Sequence, residues 1–184
     1  MKKYFIFLVV MLLYLPTFAQ SHLDFCGVPI TGNFGDFIAK MNEMGYVKVA
    51  ESKGYARLKG KFVDADVNLI VLSTSVSDTV YKVAVFFEED GTWIAMKNRY
   101  CRYKDMLTQK YGEPSLCYEE FYNGYSDGDG YEIDAIIDNA FTYATFYQLP
   151  KGTVYVNIRQ NGSVWICYED KLGIQLYDKE KNIN

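Results

Sequence analysis

"TWIAMKNRYCRYKDMLTQKYGEP", residues 92 to 114, is the stretch on which the fold turns. Trp93, Met96, Tyr100, Tyr103 and Leu107 recur at intervals of three and four, the spacing that lines one face of an α-helix. Gly112 supplies a C-cap and Pro114 a stop. A shorter segment upstream, "NFGDFIAKMNEMG" from Asn33, has the same character: Phe34, Phe37, Ile38, Met41 and Met44 form its apolar face, Asn33 can cap it and Gly45 can close it. Between the two helices lie four runs with strand character, "YVKVA", "YARLKGKF", "VNLIVLSTS" and "TVYKVAVFFEE". After the second helix the order recurs with "SLCYEEFY", "FTYATFYQ", "TVYVNIRQ" and "SVWICYED", the last two joined by an Asn-Gly hairpin signal.

This order predicts an α+β fold made of a tandem repeat of two units, each a helix packed on a four-stranded antiparallel sheet. The expected division is a signal peptide over 1–19, a first helix-plus-sheet unit over 20–91, and a second over 92–184 with an extra short helix near 130–138. The signal peptide is read from Lys2 and Lys3, the apolar run "YFIFLVVMLLYLP", and small residues Thr17 and Ala19 before a cut after Ala19. The apolar run is too short to span a bilayer, and Cys26 lacks a lipobox context. An exported protein, periplasmic or extracellular, is therefore expected. No later segment is apolar enough for a membrane span. Cleavage removes two lysines and no acid, taking the net charge from -4 to -6, which argues against nucleic acid as a partner.

Cys26, Cys101, Cys117 and Cys167 could pair in three complete ways, and none belongs to a C-x-x-C motif. If one disulfide forms, Cys101 to Cys117 is expected, since it would pin the second helix to the next strand. The only histidine is His22. A zinc site, a thioredoxin-like site and a histidine-assisted nucleophile therefore all lack their groups. "NGYSDGDGYEID", residues 123 to 134, has the composition of a calcium loop, but neither register places ligands at positions 1, 3, 5 and 12 around a glycine at 6. Asp129 and Glu132 fit a capping box opening a short helix instead. With no phosphate-binding glycine pattern and no activated nucleophile, the expectation is no enzyme, no cofactor and no metal.

The feature that points to a function is the second sheet. Val154, Val156 and Ile158 alternate with Tyr155, Asn157 and Arg159, and Val164, Ile166 and Tyr168 alternate with Trp165, Cys167 and Glu169. If the aliphatic set faces the helix, the outward face carries Tyr155, Arg159 and Trp165, and Tyr143 and Tyr147 are expected to join them. Tyr, Trp and Arg dominate binding hot spots. The expected function is a non-catalytic binding module that docks an envelope or extracellular protein. The alternative is a carbohydrate-binding module, because such rings also stack on sugars.

The helix-then-meander order, with "YKDMLTQKYGEP" running into Tyr-Gly-x-Pro and "LKGKF" at a turn of the first sheet, resembles the β-lactamase inhibitor protein fold and the small exported bacterial proteins that share it. The resemblance covers nearly all of the chain after residue 19. It implies an aromatic-rich sheet surface that docks onto a protein, but no stretch matches the inhibitor's contact loops and no inhibitory residue is carried over. The order is also similar to the outer-membrane lipoproteins of the barrel-assembly machinery, whose lipobox is missing here.

Overall fold

The computed structural model describes residues 22–88 and 90–182. The proposed signal peptide, 1–19, lies outside the described residues. A small hairpin, β1 (Asp24–Phe25) and β2 (Val28–Pro29), comes first, turning through Cys26 and Gly27 at φ of 50° and 83°. Helix α1 (Phe34–Glu43) follows, with Asn33 Oδ1 accepting the amides of Gly35 and Asp36. These bonds satisfy donors that a helix start leaves open. Strands β3 (Val47–Ser52), β4 (Tyr55–Phe62), β5 (Ala65–Ser73) and β6 (Val80–Phe86) then form a meander.

Helix α2 (Trp93–Tyr111) begins at Thr92, whose hydroxyl accepts the Ala95 amide, and ends at Gly112 with φ of 84°. All five of its predicted apolar residues are buried. Strand β7 (Leu116–Phe121), the short helix α3 (Glu132–Ile137), and strands β8 (Phe141–Leu149), β9 (Gly152–Ile158) and β10 (Val164–Asp170) complete the second run. A last helix, α4 (Lys171–Lys181), was not anticipated. Asp170 starts it by accepting the Gly173 amide, while also accepting the Leu23 amide and sitting 3.0 Å from His22 Nδ1.

The two strand runs are not separate sheets. All eight strands form one antiparallel sheet in the order β3-β4-β5-β6-β10-β9-β8-β7. The seam is the β6–β10 pair, in register from Phe86 opposite Trp165 to Lys82 opposite Glu169. Leu58, Leu69, Val83, Val85, Val154, Val156 and Ile166 point to the face covered by α1 and α2, where one continuous core includes residues of both helices. Tyr100 donates to or accepts from Thr145 Oγ1 at 2.5 Å within that core, which satisfies both hydroxyls. The architecture is α+β with an antiparallel sheet, as the sequence predicts. Among the described residues no helix is long and apolar enough to cross a membrane.

The 123–134 stretch differs in detail from the sequence reading. Asp129 and Glu132 do not close a reciprocal capping box: Asp129 accepts the amides of Tyr131 and Ser126, and Glu132 reaches back to Gly128. Gly128 and Gly130, both at φ of 85°, curl the chain so that Asp129 caps the turn, and α3 starts after Tyr131 with no side-chain cap. Asp127 accepts from Trp93 Nε1 and pairs with Lys97, tying the loop to α2. The cysteines all remain free thiols, with Cys117 Sγ 3.3 Å from Thr145 Oγ1 and no Cys101–Cys117 bond.

Candidate functional site

The period-two geometry of the strands sends alternate residues to the face away from α1 and α2. Two cross-strand rows of that outward face can be read from the pairing. One runs Lys59, Asn68, Phe86, Trp165, Asn157, Ala144, Tyr118, and the next runs Arg57, Ile70, Ala84, Cys167, Tyr155, Phe146, Leu116. The rows lie about 7 Å apart along the strands. Aromatic side chains therefore gather at the middle, on β6, β10, β9 and β8.

Their mutual geometry is that of rings standing side by side. Phe86 and Trp165 stack with centroids 4.8 Å apart and planes 14° from parallel. Arg159, from the chain end of β9 on the other side of β10, places its guanidinium 5.0 Å from the Trp165 ring. The indole N–H donates to Ser163 Oγ at 2.7 Å, which fixes the ring's rotation. In the neighbouring row Phe146 and Tyr155 are 5.2 Å apart at 32°. Tyr155 is anchored: Lys82 Nζ donates to its hydroxyl at 2.9 Å, and that hydroxyl donates to Glu169 Oε1 at 3.1 Å. Lys82 also pairs with Glu169 at 2.6 Å. Burial, together with the neighbouring Cys167 and Glu169, pushes the Tyr155 phenol well above its ordinary value, so it stays neutral and serves as a hydrogen-bonding ring.

Cys167 stands beside Tyr155 in the same row and is fully buried, and burial pushes its thiol up as well. A thiol in that state is a packing group rather than a nucleophile. Among the described residues no group of three or more His, Cys, Asp or Glu is placed to hold a metal ion.

Of the five residues singled out from sequence, Tyr155, Arg159 and Trp165 stand together on this face. Tyr143 and Tyr147 do not. Both point the other way, under α2, with exposures of 4% and 1%. Tyr143 meets Trp93 and Tyr100 edge-on, and the Tyr147 hydroxyl donates to the Lys104 carbonyl at 2.9 Å. These two are core residues, and the expectation that they join the face is corrected. Phe86 and Phe146 take their places. No protein family, curated protein or solved structure matches this chain.

The ends of the face are bounded differently. Near Trp165, an open cavity of about 710 Å³ is lined by Ile137, Arg159, Gln160, Asn161 and Trp165. At the opposite end Ile174 and Gln175 of α4 share a cleft with Gln148, Thr153 and Glu169. Tyr177 of α4 stacks on Tyr81 at 4.6 Å, and Gly173 packs so closely that a Cβ there would sit 2.8 Å from the Tyr81 Cα. The helix missed in the sequence thus closes one end of the surface.

Proposed function

We propose that the protein is an exported, non-catalytic binding module that docks a protein partner of the cell envelope or extracellular space through this outward face. The observation that carries the reading is the pairing of Phe86 with Trp165 and of Tyr155 with Phe146 across four adjoining strands, on the face that α1 and α2 leave uncovered. Half-buried aromatics beside an exposed Arg159 are the composition of an interface centre. The order of helix and four strands, met twice with each helix resting on strands of its own run, supports two related units of the kind that the β-lactamase-inhibitor-protein resemblance implies.

The carbohydrate alternative is less favoured by the ring geometry. A sugar stacks on a free ring face, whereas Trp165 has Phe86 against one side and Arg159 against the other. A protein partner can instead meet the row edge-on and bury it.

The test uses the chain without residues 1–19 as bait for cross-linking in an envelope extract, beside a glycan array. Trp165→Ala should lose the captured protein, because truncating a buried aromatic anchor costs about 2 kcal/mol or more, roughly thirtyfold in Kd. A glycan that binds wild type and not Trp165→Ala would replace this reading with the carbohydrate one, and capture unaffected by the substitution would remove the face from consideration.

A further inference from the structure

The two edges of the large sheet are built differently. Strand β3 carries devices that keep an edge from pairing with another chain: Lys48 stands in it, and its register breaks between Lys48 and Ala50. Strand β7, the other edge, has neither. Its residues hold one unbroken register on β8, from Leu116 opposite Phe146 to Phe121 opposite Phe141, and include no lysine, arginine or proline. Leu116 to Glu120 are all exposed, so no helix or loop of the described residues covers the strand.

The free side of β7 can be assigned residue by residue. The Tyr122 amide donates to the Ala140 carbonyl at 3.0 Å, and in an antiparallel ladder alternate residues bond the same neighbour. Leu116, Tyr118 and Glu120 therefore direct their main-chain groups at β8. Those of Cys117, Glu119 and Phe121 point the other way, where no strand of the described residues lies beside them.

Charge selects what can pair there. Between Lys110 and Lys151 the chain holds eight Asp and Glu and no Lys, Arg or His, whereas all 19 Lys and Arg, against 15 Asp and Glu, lie elsewhere. This stretch forms β7, α3 and β8, so the negative charge of the protein is concentrated at one margin of the sheet. Lys97 and Lys104 reach the margin from α2, where they pair with Asp127 and Glu119, and Arg159, which shares a cavity with Ile137, lies over the Trp165 ring. Glu120 stands on the outward side, opposite Thr142. A second copy paired edge to edge would set acidic margin against acidic margin. Opposite charges across strands stabilise a pair and like charges destabilise it.

We infer that β7 is a docking edge that takes an extended cationic segment of a protein partner as a further strand, held by the main-chain groups of Cys117, Glu119 and Phe121. On the outward side a Lys or Arg of that segment stands opposite Glu120. Apolar side chains two and four residues away lie against Tyr118 and Leu116, which are 43% and 44% exposed. The edge is a surface separate from the Phe86–Trp165 pair and takes its strand whether or not the aromatic face docks a partner.

The probe is a random linear peptide library displayed on phage, selected on the chain without residues 1–19 and depleted on its Cys117→Pro variant, with one surviving peptide then synthesised. Proline at 117 removes an N–H on the free side and leaves the bonds to β8 in place. The peptide should carry Lys or Arg together with apolar residues at alternate positions. It should bind Cys117→Pro at least tenfold more weakly. Glu120→Lys should weaken it about fivefold, the effect of turning one cross-strand charge pair from opposite to like sign, about 1 kcal/mol. Hydrogen exchange reads the docking on the wild type itself: the Cys117, Glu119 and Phe121 amides should exchange fast in the free protein and be protected by the peptide. Protection elsewhere, a peptide without basic residues, unchanged binding to Glu120→Lys, or no selected peptide overturns the inference. A wild-type dimer in sedimentation that Cys117→Pro abolishes would give the edge to a second copy and also overturns it. Trp165→Ala should bind the peptide as wild type does; a peptide that needs Trp165 overturns the edge and leaves the docking role of the aromatic face standing.

Discussion

Phe86 and Trp165 stack across the seam that joins the two strand runs, 4.8 Å between centroids. The contact therefore belongs both to the outward face and to the junction. Phe86→Ala should cost about 2 kcal/mol, roughly half of what a fully buried Phe→Ala costs, because the ring is half-buried. A lower urea midpoint with unchanged far-ultraviolet circular dichroism is the expected result. No change in midpoint would mean that the stack contributes nothing to the seam.

Tyr103 makes the opposite prediction. Its ring is packed against Phe87 and Phe62 with 1% exposure, and its hydroxyl oxygen is buried without a hydrogen-bond partner among the described residues. An unpaired buried hydroxyl costs about 1–3 kcal/mol. Tyr103→Phe keeps the ring and removes the penalty, so its melting temperature should rise. A fall would show that the hydroxyl is satisfied in solution.

Acid should loosen α4 through Glu180. The Ser77 hydroxyl, with the amides of Val76 and Ser77, holds this carboxyl below the usual range. A depressed folded pKa gives stability that is complete above the ordinary value of about 4.3 and is lost as pH falls through the folded value. Wild type should therefore lose more stability between pH 5 and pH 3 than Glu180→Gln, measured by thermal unfolding at each pH. Equal losses would count against the Glu180 contacts.

Thiol labelling follows burial. Cys26 and Cys117 are exposed, Cys101 is half-buried, and Cys167 has 0% exposure. Iodoacetamide should modify Cys26 and Cys117 in the native protein and Cys167 only in denaturant, as read by mass spectrometry of the peptides. Fast labelling of Cys167 would show that the side chains packed round it open.

Both long helices and all eight strands of the large sheet were legible from runs of helix or strand character set off by turn signals, though not every strand shows which face is buried. "TVYVNIRQ" has aliphatics at one parity only, and Val154, Val156 and Ile158 do face the helices. "FTYATFYQ" gives no such decision: Phe141, Tyr143 and Tyr147 stand at one parity and Phe146 at the other, so aromatic content alone could not say which side was wet. Thr145, polar but fully buried against Tyr100, was the misleading neighbour. Phe86 was missed for another reason. Its place beside Trp165 depends on β6 pairing with β10, and strands that far apart in sequence carry no periodic sign that they will meet. Helix α4 was hidden by Gly173, which reads as a breaker yet is required where the helix presses on Tyr81.

The position of β10 also sets an order of assembly. Strand β6 ends at Phe86, but its neighbour across the seam begins only at Val164. As the chain is made from its N-terminus, β3 to β6 can pair with one another while β6 keeps an open row of amides and carbonyls, and β9 does the same from the other side. Both rows close when the final strand slides between them. A ribosome stalled before residue 164, or a protease that trims the chain to that point, would thus release a protein with two interior strands turned into adhesive edges, the kind of species that aggregates and that chaperones must hold.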